Sequence, residues 1–234
     1  DGTSGCSTTY WEEVSSGSSC PSQGSFTNSG SPTVSDSVTC SSGSVCEVDV
    51  CYYSDDVAGN VESTITSNTF NIDKSTPSTS ISNPASGSWH SGDFSVSFSD
   101  SDTGSGLSSC EYRVVDDGVE TVGWTGRSCS GSVTIDISAD CSTDGSNTCT
   151  VESRATDGVG NTASASRSFS IDTTGPSTSA TPTSRSWDSV DVSVALSASD
   201  SGSGVDYIEH CWTTGGSCTP STTSSGSSAT VSQS

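Results

Sequence analysis

The chain repeatedly alternates apolar and small polar residues. "FSVSF" (Phe94–Phe98) places Phe, Val and Phe on one side of an extended strand and serines on the other, and "VSVAL" (Val192–Leu196) does the same. Strict alternation is the pattern of a half-buried strand, since successive side chains in a strand point to opposite faces. No stretch carries the 3.6-residue period of a helix. Between Ser78 and Ile171 the pattern predicts seven strands: A from near Ser78, B at Phe94–Phe98, C at Cys110–Val115, D near Glu120–Trp124, E at Val133–Ile137, F at Thr150–Thr156 and G at Ala163–Ile171. Turn residues (Gly, Asp, Asn, Ser) separate them.

The pattern recurs. "DVAGNVESTITSNTFNIDKSTPS" (Asp56–Ser78) and "DGVGNTASASRSFSIDTTGPS" (Asp157–Ser177) share the skeleton D-x-x-G-N, a gap, then F-x-I-D-x-x-x-P-S. Farther along, "WHSGDFSVSFSDSDTGSGL" (Trp89–Leu107) matches "WDSVDVSVALSASDSGSGV" (Trp187–Val205). "DGTSGC" (Asp1–Cys6) matches their ends, and "SPTVSDSV" (Ser31–Val38) matches "GSVTIDIS" (Gly131–Ser138) and "SSATVSQS" (Ser227–Ser234). So long a period belongs to a whole β-sandwich rather than a solenoid unit. We expect a partial unit over 1–72 without its first two strands, a complete unit over 73–172, and a partial unit over 173–234 without its last two. Either a longer chain has been cut, or a neighbour supplies the missing strands.

As a set, S-G-L/V-x-x-(C)-E-Y, D-x-x-G-N and F-x-I-D-x-T-x-P resemble the tandem immunoglobulin-like repeats of large secreted bacterial and archaeal surface proteins. The resemblance implies antiparallel sheets packed as a Greek-key sandwich, no catalysis, and a place in stalks, adhesins, surface layers or extracellular filaments. The cysteine load and the incomplete ends depart from that pattern. The residues agree independently: D-x-x-G-N is a hairpin turn, and the Asp-to-Pro segment is a short, stiff linker.

Composition changes the picture in three ways. Only 28% of the 234 residues are hydrophobic, so each unit has a thin core. A net charge of −22 with six Lys+Arg excludes a nucleic-acid partner, which needs a basic face, and gives a wet, self-repelling surface. Eleven cysteines in such a chain point to disulfides and an oxidising, extracellular compartment. No apolar run reaches membrane-spanning length. We pair Cys110 with Cys129, Cys141 with Cys149, Cys211 with Cys218, Cys40 with Cys46 and Cys6 with Cys20. This leaves Cys51 unpaired, either facing a partner outside the chain or buried as a thiol. Zinc is the poorer reading, because the cysteines have neither histidine partners nor a C-x-x-C frame.

The immunoglobulin-type arrangement would gather Asp73 from the linker, Asp100 and Asp102 from the B–C loop and Asp157 from the F–G turn at one end of the complete unit. Asp172 and Asp200 would begin the same group in the next unit, with Asp1 and Asp56 its remnant in the first. Several carboxylates at a joint suit a hard cation such as Ca²⁺, or each caps its own turn; both readings stay open. His90 and His210 sit at positions that vary between copies, and no phosphate loop or G-x-S-x-G elbow is present, so we expect no enzyme. Tyr10, Trp11, Tyr52 and Tyr53 crowd the first unit as a candidate sugar or protein contact. The function expected is a structural subunit of an extracellular filament, stalk or surface appendage whose partners are copies of itself, with strand exchange between subunits one way to join them. The alternative is an adhesin or carbohydrate-binding segment that takes glycans or a host-surface protein.

Overall fold

The computed structural model describes residues 4–183 and 190–232, and strands are its only regular elements. Contacts divide the chain into two compact units. One is Asp1–Ser78 with Asp100–Ser109 and Ala155–Ala163. The other is Thr79–Ser99, Cys110–Arg154 and Ser164–Ser234.

In the first unit β1 (Cys6–Ser15), β2 (Asn28–Gly30), β3 (Val45–Asp56) and β4 (Thr66–Asp73) form one sheet in the order β2-β1-β3-β4. Its antiparallel register sets Glu12 opposite Cys51 and Tyr10 opposite Tyr53. Alternation then gives the sheet two unlike faces. On one, Tyr10 stacks on Tyr53 with ring centroids 4.8 Å apart, Phe26 meets Tyr53 edge-on, and Cys20 bridges to Cys51. The other carries Trp11, Val50, Tyr52, Phe70 and Ile72, lining a trough. The segment Ser31–Val38, expected as a strand, forms none.

The complete copy is built from β5 (Ser78–Asn83), β6 (Trp89–His90), β7 (Phe94–Ser101), β8 (Leu107–Asp116), β9 (Val119–Arg127), β10 (Ser132–Ile135), β11 (Gly145–Asp157) and β12 (Thr162–Ile171). One sheet runs β10-β7-β5 and the other β6-β12-β11-β8-β9. This is the predicted all-β sandwich, with the strands where the alternation put them. Between the sheets lies a core of Ile81, Phe94, Val96, Phe98, Val114, Ile135, Ile137, Val151, Phe169, Ile171 and the cysteines Cys141 and Cys149. The tight β8–β9 hairpin turns on Asp117 (φ 44) and Gly118 (φ 84), the positive-φ pair that a two-residue turn needs. On the outer face Trp124 carries the guanidinium groups of Arg113 and Arg154 at 5.1 and 4.4 Å, and Arg154 pairs with Glu111 at 2.6 Å. Trp89 is 40% exposed on its two-residue strand; its counterpart Trp187 lies outside the described residues.

The last copy holds β13 (Ser177–Thr181), β14 (Ser193–Ser199), β15 (Tyr207–His210), β16 (Thr222–Ser225) and β17 (Ser228–Ser232), with sheet orders β13-β14-β17 and β15-β16. β17 pairs with β14 as β10 pairs with β7.

Five disulfides staple these strands: Cys20–Cys51, Cys40–Cys46, Cys110–Cys129, Cys141–Cys149 and Cys211–Cys218. The expected Cys6–Cys20 bridge does not form, and the free thiol is Cys6 rather than Cys51. The register gives the reason. Cys6 starts β1 opposite Asp56, whereas Cys20 lies beyond the far end of that ten-residue strand. Two cysteines bridge only when their Cα atoms come within ~7 Å. The loop after β1 instead folds back over the sheet, bringing Cys20 to 5.7 Å from Cys51 between Cα atoms.

Candidate functional site: a carboxylate cluster that recurs with the repeat

Of the expected carboxylates, the structure brings Asp73, Asp102 and Asp157 together, with one oxygen of each within 4.8 Å of the others. All three belong to the first compact unit. Asp100 is buried on β7 but stands outside that group. Asp172 and Asp200 meet in the following copy. Asp1 lies outside the described residues.

Each carboxylate is placed by its own turn. Asp157 opens D-x-x-G-N: its Oδ1 accepts from the backbone N–H groups of Val159, Gly160 and Asn161, and its Oδ2 from the Asn161 side chain at 2.7 Å. Asp56 repeats this with Asn60, accepting from its backbone N–H at 2.7 Å and its side chain at 2.8 Å, and takes the Ser4 hydroxyl as well. These Asx-type turns are what the motif predicts. Asp73 leaves the sheet at the end of β4 and plugs into the B–C turn. Its Oδ1 accepts from Ser75 N–H and hydroxyl, and its Oδ2 from Ser105 N–H at 2.8 Å and hydroxyl at 2.7 Å. Asp172 accepts from the matching Ser203 N–H at 2.6 Å and from Thr174 N–H at 3.2 Å.

The turn glycine makes this plug possible. A Cβ on Gly104 (φ +107) would stand 2.7 Å from both Asp73 Oδ2 and Val45 Cγ2, and one on Gly202 would fall on the Asp172 carboxylate. D-x-G-S-G therefore reads as a socket: Gly clears the space and Ser supplies two donors. Its recurrence and the place of the linker aspartate at this end were visible in the sequence, but the hydrogen-bonded plug was not. Replacing Gly104 with Ala combines an unfavourable φ with a contact against a fixed carboxylate. We expect it to cost about 1–3 kcal/mol, measured as a lowered midpoint of chemical unfolding.

Hydrogen bonds set the charge state. Those from Ser75 and Ser105 hold the Asp73 carboxyl far below the usual carboxylate range, and those from Asn60 and Ser4 bring Asp56 to about 2. For Asp157, burial pushes the other way, but the bonds from Asn161, Val159 and Gly160 together outweigh it. Ser203 lowers Asp172. All are anionic at neutral pH. Asp102 differs from its neighbours. Its Oδ2 accepts from Gly106 N–H at 2.8 Å, while its Oδ1 is buried with no hydrogen-bond partner. Asp200 is the same: Oδ2 accepts from Gly202 and Gly204, and Oδ1 is buried without a partner. Two like charges at this spacing repel by ~1 kcal/mol in water and ~3–4 kcal/mol at an effective dielectric near 20. A buried carboxylate oxygen without a donor adds to that cost. Oxygen ligands of this kind suit a hard cation, and the turns would stand without one.

His90 is stacked on Phe94 at 3.8 Å and bonded to Ser88, with burial lowering its pKa; it is a packing residue.

No family model matches the chain, and no curated protein matches it. Among solved structures it is similar to the fibronectin(III)-like modules of Clostridium thermocellum CbhA, with 12% identity and a TM-score of 0.31 over 73% of this chain and 80% of that one. It is also similar to a Ca²⁺-stabilized adhesin that helps an Antarctic bacterium reach out and bind ice, with 16% identity and a TM-score of 0.28 over 70% of this chain and 41% of that one. By its own strands and bridges, the chain is an all-β protein of disulfide-stapled sandwich architecture.

Proposed function

We propose that this chain is a structural segment of an extracellular filament, stalk or surface appendage, built from tandem immunoglobulin-like copies bounded near residues 73 and 172. One observation supports the reading: an all-β chain with a thin core is closed by five disulfides. Such bridges persist in oxidising compartments, and they serve a part that must resist unfolding and proteolysis rather than turn over a substrate. The copies supply length, the Asp-to-Pro linkers supply stiffness, and the acidic, hydroxyl-rich surface stays hydrated.

Calcium belongs to this reading. Asp73, Asp102 and Asp157 would hold one ion, and Asp172 with Asp200 would supply part of a second site. The observation favouring an ion over simple turn capping is the buried, unpartnered Oδ1 at the same turn position in both copies. Bound Ca²⁺ would neutralise the converging charges and fix the linker aspartate in its socket. At calcium a hundredfold above Kd the expected stabilisation is about 2.7 kcal/mol. Thermal melts with calcium and with chelator read it directly: the midpoint falls on chelation, and the fall shrinks in Asp102→Asn. Identical melts leave turn capping as the whole role of these residues.

A further inference from the structure

The residue after each F-x-I-D aspartate is held by a short disulfide loop, and the two copies hold it with different chemistry. In the first unit the loop is Cys40–Cys46, a ring with a sequence separation of 6. It continues the β3–β4 ladder, whose register sets Cys46 opposite Ile72 and Val45 opposite Asp73. One residue farther on, Lys74 donates its N–H to the Ser44 carbonyl at 3.0 Å, and its own carbonyl accepts from Gly43 N–H at 3.1 Å. The bridge brings Cys40 back to the same place, where its carbonyl accepts from Lys74 Nζ at 2.8 Å. The N–H, the carbonyl and the ammonium group of one linker residue are all satisfied by one ring.

In the complete copy the ring is Cys141–Cys149, with a separation of 8. Here a side chain does the holding. Asp144 Oδ1 accepts from Thr173 N–H and hydroxyl, both at 3.0 Å, and its Oδ2 accepts from the Thr174 hydroxyl at 2.9 Å. The ring is itself anchored, since Asp116 Oδ2 accepts from Thr143 N–H at 3.1 Å and from its hydroxyl at 2.9 Å. Backbone pairing with an ammonium group in one copy, and a carboxylate in the other, end on the same position of the repeat. The aspartate just before it goes to Ser105 or Ser203 instead, so adjacent linker residues are gripped by different loops.

We infer that the Cys40–Cys46 and Cys141–Cys149 rings are clasps that lock the linkers against local opening and proteolytic attack. The physical reason is the number of states open to the loop. A bridged ring of this size has few conformations that release the linker, and an unbridged segment has many, so the bridge raises the free energy of opening at the joint itself. A protease that takes its substrate as an added extended strand needs backbone groups free to pair. Lys74 does not offer them while the clasp is closed. It is also the one lysine of the chain, so a lysine-specific protease has a single site, and that site is a clasped linker. The clasp goes beyond the structural-segment reading, which stands without it.

The test treats the whole oxidised chain with a lysine-specific endoprotease and follows cleavage after Lys74 by mass spectrometry. The wild type should be cut slowly, and Cys40→Ser/Cys46→Ser roughly tenfold faster or more. Cys20→Ser/Cys51→Ser is the control. It opens a longer loop, with a separation of 31, on the same sheet, and Cys51 lies opposite Ser67, away from the linker. Its rate should stay near that of the wild type, with circular dichroism confirming that each variant keeps its strands. A second measurement leaves every bridge intact. Asp144→Ala removes the Thr173 and Thr174 bonds from an exposed side chain, and the Thr173 amide should then exchange its hydrogen roughly tenfold faster or more in the folded protein. Equal cleavage of the wild type and the Cys40/Cys46 variant overturns the inference. So does equal acceleration in both cysteine variants, which would trace protection to overall stability, and so does a Thr173 amide indifferent to Asp144→Ala.

Discussion

Reduction of the five disulfides is expected to unfold the chain at ambient temperature. The bridges close loops with sequence separations of 31, 6, 19, 8 and 7 residues. The loop-entropy relation assigns ~2–4 kcal/mol to each and ~14 kcal/mol to the set, against ~5–15 kcal/mol for the net stability of a typical domain. Little else compensates. Only 28% of the residues are hydrophobic, and the buried core cluster lies almost wholly in one copy. Cys141 and Cys149 are themselves 0% exposed, so reducing their bridge also leaves two thiols in the most tightly packed region. Circular dichroism in reductant should show loss of the strand signal, with the Cys141→Ser/Cys149→Ser double variant falling by ~2–3 kcal/mol or more in oxidised protein. Full retention of structure after verified reduction would mean that the core is sufficient alone.

The second large effect separates two phenylalanines that the sequence presents as equals. Phe169→Ala should cost about 3–5 kcal/mol, as truncation of a fully buried aromatic does. Phe169 is 0% exposed and packs edge-on against Phe94 at 5.1 Å, in a site closed by strands from both sheets. Phe70→Ala, at the matching position, should cost under ~1 kcal/mol in the monomer, because Phe70 is 44% exposed and its removal opens no cavity. Urea unfolding of the two variants measures the contrast. Similar costs would mean that the first sheet is covered in solution.

This contrast also marks where sequence reading succeeds and where it stops. Strands β7, β8, β11 and β12 were legible because burial on one face writes a period of two into the residues themselves. Ser31–Val38 has the same period and forms no strand, because a ladder needs a partner and pairing is decided far along the chain. The Cys110–Cys129 and Cys141–Cys149 bridges join neighbouring turns and strand ends, so proximity in sequence was a sound guide. Cys51 was not legible, since its partner depends on the fold-back of the loop holding Cys20 and Phe26. Among the aspartates, the repeat and its turns placed Asp73, Asp102 and Asp157 at one end, and Asp100, expected with them, stands outside the group. What sequence could not supply was the depth of the linker residue: Asp73 reaches its socket only because Gly104 lacks a side chain.

The central claim is that the chain works outside the cell as a stapled structural segment. Its most direct test is disulfide mapping, without reduction, of material released from intact cells by shear or by external protease. The account predicts that the released fraction contains the chain with Cys20–Cys51 and Cys110–Cys129 linked. Recovery of the chain only from inside the cells, with those cysteines as free thiols, would contradict it.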